Sequence, residues 1–250
     1  MRIWLKASTL VILIFSFNAA SAQDATEIVK RADQKMRGNT ARVEMTIQTI
    51  RPTWKRSMDL KAWSKGTDYS MILITSPAKD KGVSFLKRKK EVWNWYPTLE
   101  RVIKLPPSMM SQSWMGTDFT NDDLVRESSV IHDYKHKLAG DTIIAGRPCY
   151  KIEMIPIPDA AVVWGRLLVC IDKKDYLELH TRFYDEEGNL VNIMNAYDPK
   201  VMGGRLIPVR IEMTPMDKKG QKTVMIYRNV VFDQPIKDDF FSLSNLKKLQ

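Results

Sequence analysis

Cysteine, histidine, glycine and proline are all scarce in this 250-residue chain, and each scarcity excludes a class of protein. Two cysteines are too few for a disulfide-stapled scaffold and lack the paired spacing of a structural zinc site, and only three histidines are present as further metal ligands. With 11 glycines and 12 prolines the chain is neither collagen-like nor of low complexity. A hydrophobic content of 44% therefore indicates a folded globular protein with a substantial core.

Sequence motifs that mark common enzymes are also missing. There is no Gly-x-Ser-x-Gly elbow, no phosphate-binding loop and no His-Glu-x-x-His motif. His132 and His136 have the spacing of two metal ligands on a helix, but the surrounding residues are typical of a strand. We therefore predict a protein that is not an enzyme and that has no metal and no cofactor.

The N-terminus has the pattern of a cleavable export signal. Arg2 and Lys6 precede an apolar stretch at 10–17, and Ala20-Ser21-Ala22 supplies the small residues of a cleavage site. We predict a signal peptide at 1–22 and a periplasmic mature chain that begins at Gln23 and forms one domain over 23–250. An uncleaved membrane anchor is the alternative, although the apolar stretch is short for a membrane span.

Positive charge predominates, with a net charge of +10. Since an exported protein does not meet nucleic acid, we expect no nucleic-acid partner and only peripheral contact with a membrane or with an acidic protein surface. The predicted docking residues are Lys87, Arg88, Lys89 and Lys90. Such a basic run is usually a solvated face, and the sequence leaves both interpretations open.

Hydrophobic periodicity predicts one helix followed by about a dozen strands. Apolar residues recur on one helical face between Asp24 and Arg37, and Gly38 lies just past the end. From Ala41 onward the period falls to two, with turn residues between the runs. The predicted strands lie near 43–47, 58–62, 69–75, 83–88, 91–96, 101–105, 134–138, 149–155, 164–171, 177–184, 190–197, 206–213 and 223–231. The fold class is therefore mainly β with a few helices, built on one large antiparallel sheet.

Such a sheet must close on itself or be covered, and two covers are visible in the sequence. One is the helix at 24–37, and the other is the segment 108–125, which interrupts the strand rhythm. We predict that Met109, Met110, Trp114 and Met115 in this segment form a mobile lid, because methionine adapts to irregular apolar partners. Ordinary core beneath a loop is the alternative, and a filled interior cannot be distinguished here from a hollow one.

The two cysteines lie on neighbouring predicted strands. Cys149 and Cys170 would face each other if the hairpin register allowed it, and an oxidising compartment would then favour a disulfide. Pro156 and Pro158 in the connection leave that register open, so both the bonded and the free state remain alternatives.

A specific family resemblance rests on several short stretches. Residues 115–119, Met-Gly-Thr-Asp-Phe, followed by Asp123-Leu124, look like a Met-Gly-Ser-Asp-Phe plus Asp-Leu signature. Further matches are Trp-Asn-Trp-Tyr-Pro at 93–97 and Gly-Arg-Pro-Cys-Tyr at 146–150. On these residues the mature chain resembles the outer-membrane lipoprotein-sorting (LolA-like) family of periplasmic carriers. The resemblance implies an incomplete, strongly curved antiparallel β-barrel with a helical lid over an apolar cavity.

The resemblance also implies a function. We expect a carrier that binds a lipid or lipoprotein acyl moiety and passes it from an inner-membrane transporter to an outer-membrane or envelope acceptor. Besides the lid residues, the candidate cavity residues are Phe119, Trp54, Trp63, Trp93 and Trp95. The alternative is a sensor of the same fold, whose lipid occupancy controls a protein–protein contact. A hydrolase is a third hypothesis, but the sequence shows no motif that pairs a nucleophile with a base.

Overall fold

The computed structural model describes residues 24–126 and 129–249, and one large antiparallel sheet dominates them. The described residues form strands β1 (Thr40–Ile50), β2 (Lys55–Lys65), β3 (Tyr69–Ser76), β4 (Ser84–Arg88), β5 (Glu91–Tyr96), β6 (Arg101–Lys104), β7 (Tyr134–Ile144), β8 (Arg147–Pro156), β9 (Arg166–Asp172), β10 (Glu178–Tyr184), β11 (Leu190–Met202), β12 (Arg205–Pro215) and β13 (Lys222–Phe232). The signal peptide predicted at 1–22 lies outside the described residues.

Two series of hairpins build the sheet, and one long-range pairing joins them. The spatial order is β6-β5-β4-β3-β2-β1-β13-β12-β11-β10-β9-β8-β7, so β1 and β13 connect the two series. Ala41 of β1 pairs with Phe232 of β13 at one end of this junction, and Ile50 pairs with Lys222 at the other. Because β6 and β7 form the two outer edges, the curved sheet is an incomplete barrel. The predicted fold class is confirmed.

Helix α1 (Ala25–Arg37) covers part of the concave face and has the predicted ends. The Asp24 carboxylate caps it by accepting a hydrogen bond from the Thr26 N–H at 3.0 Å. Gly38 ends it with a φ of +63°, and a side chain there would lie 2.9 Å from the Asp233 carboxylate. The helix packs across β7, β9 and β12. Its buried residues are Ala25, Ile28, Val29 and Ala32.

The chain between the two edge strands provides the second cover. We call residues 106–126 the cover segment; it contains the 3-10 helices Pro107–Met109 and Trp114–Gly116 and the π-helical turn Asp122–Arg126. This π-helical turn packs on β3 and β4. The end of the cover segment therefore lies over the N-terminal half of the sheet, and α1 lies over the C-terminal half.

A third cover, on the convex face, is absent from the sequence prediction. It consists of the 3-10 helix Asp238–Phe240 and helix α2 (Leu243–Lys248). Phe241 and Leu246 are fully buried there against Met71 and Leu86. Six helical residues are too few to show a helical period, so packing rather than pattern defines this element.

Within the described ranges, neither helix is long and apolar enough to cross a membrane.

Candidate ligand-binding cavity

A cavity of about 350 Å³ lies between the concave face of the sheet, α1 and the cover segment. Its volume is at the lower end of the range for ligand pockets, which is about 300–1,000 Å³. The apolar side chains that the sheet contributes include Ala41, Val43, Met45, Ile47, Leu60, Ala62, Ile72, Met154, Leu167, Val169, Ile171, Phe183, Met194, Ile211, Met213 and Met225. The interior is therefore hollow as well as apolar.

Strand alternation explains why these side chains share one space. On β9, Leu167, Val169 and Ile171 line the cavity, whereas the intervening Cys170 packs in a separate cluster with Leu179. Alternate residues of the paired strands therefore face the same space, apart from the places where a bulge shifts the register.

The four predicted lid residues occupy three different environments. Trp114 is fully buried and lines the cavity, with its ring centroid 5.2 Å from that of Phe85. Met110 is buried in the core, Met115 is partly buried against it, and Met109 is exposed. The tight 3-10 turns rotate neighbouring side chains away from one another, so these residues do not form a single apolar lid surface.

The other candidate aromatic residues divide in the same way. Phe119 lines the cavity, and Trp63 borders it, although the Trp63 ring packs on the convex face with its centroid 5.5 Å from that of Phe240. Trp93 and Trp95 also lie on the convex face, where they pack against the cluster under α2, because Val92 and Asn94 take the inward positions of β5. Trp54 lies in the turn after β1, half exposed, with the Arg51 guanidinium 5.8 Å from its ring centroid. Trp54, Trp93 and Trp95 are therefore not cavity residues.

The signature stretch at 115–119 is anchored to the sheet by a nearly buried ion pair. The two terminal nitrogens of Arg51 lie 3.0 and 3.1 Å from the two carboxylate oxygens of Asp118. The Thr223 hydroxyl donates to the Asp118 carboxylate at 2.7 Å, and Arg51 also donates to the Gly116 carbonyl at 3.1 Å. Gly116 has a φ of +74°, which glycine adopts readily. The signature thus has a structural role in holding the cover segment.

Four carboxyl groups and one guanidinium interrupt the apolar lining. They belong to Asp33, Arg37, Asp122, Asp123 and Glu178. Arg37 and Asp33 form an ion pair at 2.7 Å on α1. Asp123 belongs to the signature noted in the sequence, but no sequence pattern marked Asp33, Arg37 or Glu178 as cavity residues, because isolated charged residues beside a strand or on a helix are usually solvated.

Burial raises the pKa of two of these carboxyl groups. Burial is the largest effect on the pKa of Asp123, and it is opposed by hydrogen bonds from the Trp164 indole N–H and from Thr120. Burial also raises the pKa of Glu178, with the Thr181 hydroxyl opposing it and the charge of Asp33 adding to it. The cavity therefore holds ionisable groups that are short of solvation.

Both cysteines are free thiols in the structure, and both are buried. Cys149 pairs with Asp172 and Cys170 pairs with Lys151, so the two cysteines are offset by two residues across β8 and β9. Diagonal neighbours of this kind are about 7–8 Å apart, which is beyond the usual Cα separation in a disulfide.

The basic run occupies both ends of β4. Arg88, Lys89 and Lys90 are exposed at the turn between β4 and β5, whereas Lys79 and Lys81 precede the strand. Lys87 is only 7% exposed, and its ammonium group donates to the Thr67 carbonyl. The exposed cations at this turn are therefore those of residues 88–90.

One end of the cavity lies at the same end of the sheet as this turn. A row of cross-strand partners runs from Ala41 to Ser64, then to Ser70 and on to Lys87, the residue before Arg88. Ala41, Ser64 and Ser70 all line the cavity. The exposed cations thus lie close to the cavity end that these residues bound.

The described part of the chain contains no group of three His, Cys, Asp or Glu side chains that could hold a metal ion.

Comparisons with known proteins agree with this architecture. A family model with the description "-like: Uncharacterized protein" matches residues 66–248. No curated protein matches the sequence. A DUF1329 family protein from Desulfovibrio piger has a similar structure, with a TM-score of 0.81, 22% identity, and coverage of 89% of this chain and 97% of its own.

Two further solved structures are similar over the whole fold. A LolA superfamily protein from Nitrosomonas europaea has a TM-score of 0.78 and 23% identity, and the match covers 90% of this chain and 100% of that one. A domain from Vibrio parahaemolyticus, named for outer membrane lipoprotein sorting, has a TM-score of 0.79 and 21% identity, with 89% and 98% covered. The chain therefore belongs to the family of the matching model, and it shares its fold with these solved structures, among them a LolA superfamily protein, as the resemblance implied.

Proposed function

We propose that this protein is a periplasmic, non-catalytic carrier that holds an apolar chain of a lipid or lipoprotein in its cavity. The observation that carries the proposal is the apolar hollow of about 350 Å³ under two covers. A core selected only for stability is packed to high density, so an apolar void of this volume supports the binding of an apolar ligand. The likeness of fold to a domain named for lipoprotein sorting supports the same function.

The energetics of an acyl chain fit this role. Each CH₂ group costs about 0.8 kcal/mol to expose to water, so a sixteen-carbon chain needs on the order of 12 kcal/mol of shelter in an aqueous compartment. A cavity at the small end of the ligand range suits one slender chain. Loading then requires an energy-using inner-membrane partner, and release requires an acceptor that binds the cargo more tightly.

Binding without catalysis fits the polar groups of the lining. The hydroxyls of Ser64 and Ser70 lie at one end of the cavity. Among the described lining residues there is no histidine or lysine to activate them. In the proposed carrier, these hydroxyls only contact the cargo.

Native mass spectrometry of the periplasmic protein, purified without detergent, tests the proposal. We expect a stoichiometric lipid adduct, identified after solvent extraction, and uptake of a fluorescent acyl probe by the delipidated protein. Ala62→Phe is expected to reduce uptake at least tenfold, because Ala62 lines the cavity and is already partly accessible within it.

The matched control for this variant is Ser57→Phe. Ser57 lies on the same strand but is exposed on the convex face, so the added ring does not enter the cavity. Equal uptake by the two variants, or a wild-type protein that has neither adduct nor uptake, would contradict the carrier proposal.

We also propose that Arg88, Lys89 and Lys90 dock the carrier on anionic membrane head groups. Each cation near such a surface contributes about 1 kcal/mol, so changing all three to glutamine should weaken vesicle binding about a hundredfold. Cosedimentation with vesicles containing phosphatidylglycerol, at low and high salt, measures this effect.

A control variant removes three exposed cations from the other end of the sheet. Lys55, Lys218 and Lys219 lie near the end where Ile50 pairs with Lys222. Their replacement by glutamine leaves the net charge equal to that of the test variant. If both variants bind equally, the surface at residues 88–90 has no special docking role.

A further inference from the structure

Glu178 places a carboxyl group in the wall of the apolar cavity. It is the first residue of β10, and its Cα partner on β9 is Ile171, which also lines the cavity. The ladder is irregular between Glu178 and His180, and both Glu178 and Thr181 line the cavity. A bulge of this kind redirects a side chain that regular alternation would have placed elsewhere.

The hydrogen bonding of this carboxyl group is incomplete. Among the described residues the Thr181 hydroxyl is the one donor to Glu178, and it donates to Oε1. The second oxygen, Oε2, therefore has room for a donor that comes from within the cavity. Burying a carboxylate without compensating hydrogen bonds is unfavourable, so a ligand that supplies the missing donor would be bound selectively.

The charge of the lining favours a cationic donor over an anionic one. The described lining has four carboxyl groups but only one guanidinium, that of Arg37. This guanidinium is already paired with Asp33. The Asp123 carboxylate accepts from the Trp164 indole and from the Thr120 N–H. Glu178 thus accepts one hydrogen bond where Asp123 accepts two, in surroundings that repel an anion.

We propose that the cavity selects a ligand with a cationic, hydrogen-bond-donating group on an apolar body, and that Glu178 binds this group. A primary ammonium is the chemistry that fits, with the alkyl chain packed along Ile171 and Phe183. This inference rests on the proposed carrier function, and it specifies the ligand class within it.

Two probes of equal chain length test the inference. Dodecylamine and dodecanol, each below the concentration at which it aggregates, would displace a fluorescent apolar probe from the delipidated protein. We expect the amine to bind about 10- to 100-fold more tightly than the alcohol, which is the usual value of a charge-assisted hydrogen bond in a poorly solvated site. Glu178→Gln should remove this preference, because it should lower the affinity for the amine far more than the affinity for the alcohol.

Glu44→Gln is the matched control, because Glu44 is an exposed strand glutamate outside the cavity. Glu178→Asp is a second test variant, which keeps the charge, withdraws it by one methylene and should lower the amine preference only in part. Urea unfolding checks that each variant is folded; burial raises the pKa of Glu178, so its neutral replacement is expected to fold at least as well as the wild type.

The outcomes separate this inference from the proposed function. Equal affinities of the wild type for amine and alcohol, or an amine preference that survives in Glu178→Gln, would overturn the role of Glu178 while leaving the carrier proposal intact. Failure of the wild type to bind either probe would overturn both.

Discussion

Replacing Asp118 with alanine is expected to lower the free energy of unfolding by about 3–5 kcal/mol, the usual cost of leaving one partner of a buried ion pair uncompensated. The side chains of Arg51 and Asp118 are only 13% and 5% exposed. The variant would leave the Arg51 guanidinium without its carboxylate and the Thr223 hydroxyl without its acceptor. Urea denaturation at neutral pH measures the loss.

Hydrogen exchange would show where this loss occurs. Because Asp118 ties the cover segment to β1 and β13, amide protection should fall first in residues 106–126 and only later in the sheet. Glu44→Ala is the control, since Glu44 and Lys61 are about half exposed and 3.9 Å apart. Such surface pairs contribute about 0–1 kcal/mol. A similar loss in both variants would mean that the Arg51–Asp118 pair does not anchor the segment.

Trp114→Ala is expected to lower the free energy of unfolding by about 3–5 kcal/mol, because it removes a fully buried aromatic side chain. Trp114 is 0% exposed and packs against Phe85 at the border of the cavity. Its removal should enlarge the cavity and so shift the ligand preference of the protein toward bulkier acyl chains. Urea denaturation and competition between straight and branched acyl probes measure the two effects.

Trp114→Phe separates the packing of the ring from its N–H group. Among the described residues nothing accepts a hydrogen bond from the buried Trp114 indole nitrogen, so phenylalanine loses no such bond. We expect it to retain most of the stability. Met109→Ala, at an exposed position of the same segment, should be nearly neutral. If Trp114→Ala is as mild as Met109→Ala, the segment does not close the cavity as the structure indicates.

Local patterns were sufficient to predict α1 and the strands but not α2. The period of 3.6 at 24–37 and the period of two beyond Ala41 depend only on neighbouring residues, and α1 and the strands appear where those periods are strong. β7 and β11 extend well past their predicted ends, to Ile144 and Met202. Their extra residues are stabilised by pairing with β8 and β12, which no local pattern reports.

The candidate site was predicted less completely, and adjacent residues show why. Trp93 and Val92 follow one another in β5, yet one packs under α2 and the other in the main core. Lys87 and Arg88 are likewise adjacent, but one is buried and the other exposed. Alternation says that neighbours point to opposite faces of a sheet; it does not say which face is inside.

Sequence alone was enough for the fold class and the family resemblance, because periodicity and the signature at 115–119 are properties of short stretches. The hollow interior, the anchoring of Asp118 by Arg51 and the position of Glu178 in the cavity wall depended on the tertiary structure. Arg51 and Asp118 are 67 residues apart in the chain, and Glu178 lies about as far again beyond Asp118. Arg51 and Asp118 meet only when the cover segment packs on the paired strands, and the cavity around Glu178 forms only when distant strands come together, since neither depends on local conformation alone.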